Sequence, residues 1–165
     1  MAGHVYTVSM SDTTIVADAT LIIIRAAAAV GTRGSILEIQ RAWCGQRSSD
    51  TSDQLGVILG QKVTAFGTYT SATPNPHQVG GAASGIAGGT AGAAATAGVD
   101  ASAEGAGAVT GTIVDGFNNL NGWLWVPTPE ERFIVGPDIA VVLKLVGTPA
   151  ALTNWYAGIT FAEIN

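Results

Sequence analysis

Cysteine, histidine, charge and long apolar runs are all scarce in this 165-residue chain, and each scarcity closes off a class of protein. The single cysteine, Cys44, excludes an intramolecular disulfide and a cysteine-rich zinc site. The two histidines, His4 and His77, have no second histidine at metal-ligand spacing, and His77 sits in the Pro74-Asn75-Pro76-His77 loop, where solvent exposure is expected. Only 12% of residues are charged, about half the ~25% usual for a soluble domain. With 7 Lys+Arg against 12 Asp+Glu, the net charge is −5. That balance does not suit gripping nucleic-acid phosphates by counterion release, so no nucleic-acid partner is expected. The greasiest stretch, residues 21–30, is interrupted by Arg25 and falls well short of the ~20 apolar residues a membrane span needs. No membrane partner is expected either. The opening Met1-Ala2-Gly3-His4-Val5-Tyr6 lacks the basic-then-apolar pattern of a secretory signal, so folding in a cytoplasm is the expectation.

What is present is alternation. Tyr6, Val8 and Met10 alternate with Val5, Thr7 and Ser9, a period of two that reads as a strand. Residues 20–27 contain Leu21-Ile22-Ile23-Ile24, a β-branched run that predicts a strand buried on both faces. In residues 35–46, Leu37, Ile39 and Trp43 are expected on one face with Glu38, Gln40 and Ala42 on the other, which leaves Arg41 on the apolar side. Residues 54–63, 109–117, 122–126, 139–146 and 154–164 continue the style. Eight strands separated by Gly, Pro, Asn and Asp result. The two alanine-rich runs, 26–29 and 93–95, have no capped amphipathic pattern, so no helix is expected. The reading is one all-β domain over residues 1–165, an eight-stranded antiparallel β-sandwich of jelly-roll type.

The excess of glycine sits in one place. Residues 80–111 hold 10 Gly and 12 Ala in 32 positions, so this stretch cannot by itself bury enough apolar area to offset its ordering entropy. Residues 80–108 are therefore expected to form a long Gly/Ala-rich loop or arm between the fourth and fifth strands. Either it is a flexible excursion, or it orders against a neighbouring subunit through Ile86 and Val99.

No catalytic constellation stands out. Ala82-Ala83-Ser84-Gly85 lacks the leading glycine and the strand-to-helix setting of a nucleophile elbow. The glycines at 105, 107 and 111 are misspaced for a dinucleotide loop. Glu130 and Glu131 follow Pro127-Thr128-Pro129 on an expected solvated connection, Asp50 and Asp53 share no recognisable scaffold, and Cys44 reads as a small buried hydrophobe. No catalytic, metal-binding or cofactor-binding residue is assigned, and an enzyme is not expected. Trp123, Trp125, Trp155 and Tyr156 are the candidate interaction residues, serving as core or subunit-interface packing or as a sugar-stacking platform.

The segment Trp123-Leu124-Trp125-Val126-Pro127-Thr128-Pro129-Glu130-Glu131-Arg132, with the closing Gly158-Ile159-Thr160-Phe161-Ala162-Glu163 and the opening Tyr6-Thr7-Val8-Ser9, resembles small jelly-roll virion proteins of tailed bacteriophages. The resemblance implies a capsid decoration (cement) protein, commonly homotrimeric. Such a protein binds the major capsid protein on the virion surface after assembly in the host cytoplasm. The rival reading is a receptor- or carbohydrate-binding head-fibre or tail module.

Overall fold

The computed structural model describes residues 4–28, 35–47, 51–86 and 93–164. Among them run twelve strands. The first six are β1 (His4–Thr13), β2 (Thr20–Arg25), β3 (Ile36–Gln46), β4 (Gln54–Lys62), β5 (Thr68–Ala72) and β6 (Asn75–Pro76). The others are β7 (Thr96–Ala103), β8 (Val109–Asn118), β9 (Trp123–Trp125), β10 (Ile134–Val135), β11 (Ala140–Val146) and β12 (Trp155–Ile164). All eight expected strands form, but the expected total of eight is corrected to twelve. Three of the additions, β5, β6 and β10, are two to five residues long, too short for alternation to show. The fourth, β7, is mostly Ala, Gly, Ser and Asp, with only Thr96 and Val99 β-branched.

The strands pair, antiparallel throughout, into two six-stranded sheets. Sheet I has the order β10-β3-β12-β1-β6, with β9 also on β3, and sheet II has the order β5-β7-β2-β11-β4-β8. One core joins their facing sides: Tyr6, Val8, Ile39, Trp155, Ile159 and Phe161 from sheet I meet Ile22, Ile24, Val57, Leu59, Val141 and Leu143 from sheet II. These are the positions that period-two alternation turns to one side.

Strand β2 is buried on both faces, as its Ile-rich run predicts. Ile23 points away from the main core into a smaller cluster with Tyr69, Ala101, Ala140 and Val142, against which Phe66 and Val109 pack. Two loops, 63–67 and 104–108, meet beside this cluster, so closely that a Cβ on Gly107 would overlap the Thr64 carbonyl. Glu104 staples them down: its carboxylate accepts from the Thr20 amide, from the Thr20 hydroxyl at 2.8 Å and from Lys144 at 3.0 Å. The Lys62 ammonium donates to the Glu104 carbonyl. Lys62 is fully buried, and burial lowers its pKa against the upward pull of Glu104.

The Gly/Ala segment is consequently not a single loop. Ile86 is fully buried in the main core, and the segment before it is held by Glu163, whose carboxylate accepts from the Ser84 hydroxyl and, at 3.1 Å, from the Gly85 amide. Residues 96–103 form β7, an interior strand of sheet II between β5 and β2. Backbone hydrogen bonding asks little of side-chain size, and the neighbours Ile22, Ile24 and Tyr69 supply the apolar bulk that β7 lacks. Residues 87–92 lie outside the described residues.

The small cluster carries a prediction. The buried Tyr69 hydroxyl makes no hydrogen bond of good geometry, the Thr20 side chain being its one nearby partner, a situation that costs on the order of 1–3 kcal/mol. Replacing Tyr69 by Phe should therefore raise stability by about 1 kcal/mol at pH 7, read as a higher urea midpoint. Burial, reinforced by the negative charge of Glu104, pushes the Tyr69 pKa up from 10.0 to about 12. A raised folded pKa gives stability that is present below pH 10 and lost as the pH climbs towards 12. Over that interval the parent should lose ground relative to Tyr69→Phe. Lys62 neutralises in both proteins and cancels from the comparison. A lower midpoint for the Phe variant at pH 7 would overturn the prediction.

Candidate interaction surface

Strand β3 does not keep its expected alternation. In its pairing with β12, Thr160 stands opposite Arg41 and Phe161 opposite Ile39, so Gln40 is an extra residue, a β-bulge. The bulge resets which side each residue faces. Leu37 and Ile39 point inward as expected, but beyond the bulge Ala42, Cys44 and Gln46 are buried while Trp43 is not. The expectation that Trp43 shares the inner face with Leu37 and Ile39 is thereby corrected. Arg41, expected on the apolar side, is exposed. Cys44 is fully buried, and burial raises its thiol pKa above the ordinary value.

The outer face of sheet I therefore carries aromatic residues. The Trp43 indole lies against Gly158, where a Cβ would overlap the ring, and the Tyr156 phenol lies over Gly45 and Gly122 in the same way. Glycine at Gly45 and Gly158 is what lets these rings lie close to the sheet. The Arg41 guanidinium sits 4.8 Å from the Trp43 ring centroid and that of Arg47 sits 5.4 Å from the Tyr156 ring centroid, both cation–π distances. Leu124 of β9 stands opposite Trp43 and is 58% exposed. Val126, two residues further on, is 63% exposed, and Ile134 of β10, opposite Glu38, is 56% exposed. Together these make an apolar band along the β9–β10 border, flanked by the Arg132–Glu38 ion pair at 2.9 Å. Towards β6 the same sheet turns polar: Thr7 Oγ1 lies 2.6 Å from His77 Nε2 and 2.9 Å from Thr160 Oγ1. An exposed apolar band beside aromatic and arginine side chains has the composition of a protein-docking surface.

Most of the interaction residues expected from the sequence lie elsewhere. Trp155 and Ile86 are fully buried core residues, which corrects their assignment as contact residues: neither offers surface to a partner or a saccharide. Trp123 is 7% exposed and its indole donates to Asp115 Oδ2 at 3.1 Å, between the sheet edges. Trp125 is half-buried, tilted against Phe133 with ring centroids 5.8 Å apart. Val99 is half-buried against the core. Of the six, Tyr156 alone lies on the outer face of sheet I. Sequence alone does not mark Leu124 and Val126, which alternate with two tryptophans, or Trp43, whose outward side follows from a bulge that is invisible in one strand taken alone.

At the end of the sandwich where residues 51–53 meet the 118–122 turn, buried Asn119 forms a polar knot. Its Oδ1 accepts from the Asp53 amide at 2.8 Å, and its Nδ2 donates to Gln46 Oε1 at 2.8 Å and to the Thr51 carbonyl at 3.0 Å. Gln46 in turn donates to the Ala151 and Thr153 carbonyls at 2.8 and 2.9 Å. Among the described residues no group of three or more His, Cys, Asp or Glu could hold a metal ion. No protein-family model, no curated protein and no solved structure matches the chain.

Proposed function

We propose that this chain is a structural virion protein of a tailed bacteriophage, a jelly-roll decoration protein that docks on the major capsid protein and reinforces the shell. The observation that carries the reading is the exposed band of Leu124, Val126 and Ile134 beside Trp43, with Arg41 stacked on the indole. In a protein of net charge −5, that face combines apolar contact area with local positive charge and lies on a rigid sheet. Such a surface fits a neutral or acidic protein partner. The jelly-roll reading is supported by strand order: β1, β12, β3 and β9 are neighbours in one sheet and β2, β11, β4 and β8 in the other. Taken in chain order those eight strands pass between the sheets as two wrapped Greek keys would, with β5, β6, β7 and β10 as additions. Self-association into homotrimers is part of the proposal, because repeated weak contacts around a symmetric ring gain avidity on a shell.

Co-sedimentation with mature and procapsid shells tests the docking. The parent chain should pellet with shells, and the double variant Leu124→Asp, Ile134→Asp should bind at least about ten-fold more weakly, since hot-spot side chains typically contribute over 1 kcal/mol each. Unchanged circular dichroism in that variant keeps the result interpretable. A parent chain that sediments as a monomer and ignores both shells would sink the proposal.

A second reading, a receptor- or carbohydrate-binding module, is favoured by the two rings laid flat on the outer face of sheet I. It relocates the platform from Trp123 and Trp155 to Trp43 and Tyr156. On this reading Trp43→Ala abolishes saccharide binding while leaving the fold intact.

A further inference from the structure

On the outer face of sheet I two arginines stand on two aromatic rings, and each ring lies on glycine backbone. We propose that Arg41 and Arg47 form a carboxylate-recognition site for an extended segment of a partner protein. That segment carries acidic side chains two residues apart with aliphatic ones beside them. Such a partner presupposes the protein-docking reading of this face and makes it chemically specific.

The layering begins at glycine. In the β3–β12 ladder Gly158 stands opposite Trp43 and Gly45 opposite Tyr156. Each ring therefore crosses to the neighbouring strand and lies where a Cβ would otherwise stand. With the inner ring faces against the sheet, the guanidiniums of Arg41 and Arg47, 4.8 and 5.4 Å from the ring centroids, cover the outer faces. The rings act as pedestals, and the guanidiniums are outermost. Both arginines are exposed. A guanidinium stacked on a ring keeps its N–H edge outside the stack, and that edge pairs with a carboxylate through two parallel hydrogen bonds. Stacking also restricts a long side chain before the partner arrives, which lowers the ordering cost of binding.

The occupant follows from charge and from what lies beside it. Among the described side chains on the strands of sheet I, the outward-facing carboxylate is Glu38, and Arg132 neutralises it at 2.9 Å. The row next to Trp43, where Arg41 stands opposite Thr160 and Thr160 opposite Thr7, adds no negative charge. The face is thus basic although the chain's net charge is −5, and charge complementarity selects an acidic partner. Leu124 stands opposite Trp43 on the other side of β3, which places aliphatic surface one strand away from the Arg41 stack. An acidic saccharide brings carboxylates without aliphatic side chains, whereas an acidic peptide brings both. The two stacks lie at the levels of Trp43 and Gly45, two residues and about 7 Å apart along the strand. Alternate side chains on one face of an extended peptide have the same spacing.

The test titrates the full chain, followed by its backbone amide resonances, with three probes: the capped peptide Glu-Val-Glu-Val-Glu, its counterpart Gln-Val-Gln-Val-Gln, and trigalacturonate. The Glu peptide should shift the Gly45 and Gly158 amides and bind about ten-fold more tightly than the Gln peptide. Arg41→Gln should abolish that preference, and Arg41→Lys should restore only part of it, because an ammonium lacks the planar fork. Arg41 is exposed, so unchanged circular dichroism is expected in both variants. Equal binding of the two peptides, no binding of the Glu peptide at millimolar concentration, tighter binding of trigalacturonate, or a parent-like preference in Arg41→Gln overturns the carboxylate site. Shells report separately. Shell binding as tight in Arg41→Gln as in the parent overturns the site and leaves docking standing, whereas peptide binding without shell binding removes the capsid and keeps the site.

Discussion

Trp155→Ala should destabilise the protein by about 3–5 kcal/mol and lower its melting temperature by on the order of 10 °C. The indole is completely buried, stands opposite Gln46 in the β3–β12 ladder, and donates to the Ala151 carbonyl at 3.1 Å. Truncation removes the largest fully buried side chain of the core and leaves the Ala151 carbonyl only its hydrogen bond from Gln46. Fully buried neighbours on two sheets cannot collapse into the space without disturbing the pairing of β12. The measurement is thermal or urea unfolding followed by tryptophan fluorescence. The same variant separates two functions for the residue: a sugar-stacking platform predicts lost binding on an intact fold, and a core residue predicts a lost fold. Parent-like stability in Trp155→Ala would contradict its place in the core.

Asn119→Ala should destabilise by about 2–4 kcal/mol, because it removes three side-chain hydrogen bonds of a buried amide at once, one of them to buried Gln46. The Asp53 amide, the Gln46 carbonyl oxygen and the Thr51 carbonyl all lose their side-chain partner. Gln46 is additionally the link to the 151–153 loop, so the damage should spread from the β8–β9 turn to the β11–β12 connection. Hydrogen exchange should show it: the amides of Asp53 and Arg47, bonded to Asn119 Oδ1 and to the Asn154 carbonyl, should exchange faster in the variant. Asn119→Asp probes the knot differently, keeping the acceptor towards Asp53 while losing the donor to Gln46 and Thr51. It should fall between parent and Ala variant below the pH at which the new carboxyl ionises, and beneath the Ala variant above it. A change of under about 0.5 kcal/mol in Asn119→Ala, the size of an ordinary surface substitution, would show that water replaces the knot.

Much of the fold is legible in local pattern. Leu21-Ile22-Ile23-Ile24 specifies a strand buried on both sides, and it is one. The run Ile139 to Val146 and the closing run to Ile164 specify strands that pair with β4 and β3 in the interiors of the two sheets. The interaction surface is much less legible. Trp43 is displaced to the outer face by one extra residue at Gln40, and a bulge is a property of a pair of strands. Ile86, expected to reach a neighbouring subunit, plugs its own core, held there by Glu163 from the far end of the chain.

By itself the amino-acid sequence determines that this is an all-β protein, which segments become its long strands, and that it carries a single buried thiol. These follow from side-chain period and branching, properties of a residue and its near neighbours. Tertiary structure alone decides that an Ala/Gly stretch becomes an interior strand, since backbone hydrogen bonds ignore side-chain identity and its larger neighbours provide the burial. It also decides which aromatic rings face outward, because the side a residue faces depends on the register of its partner strand. The polar knot at Asn119 likewise exists only where segments distant in sequence meet.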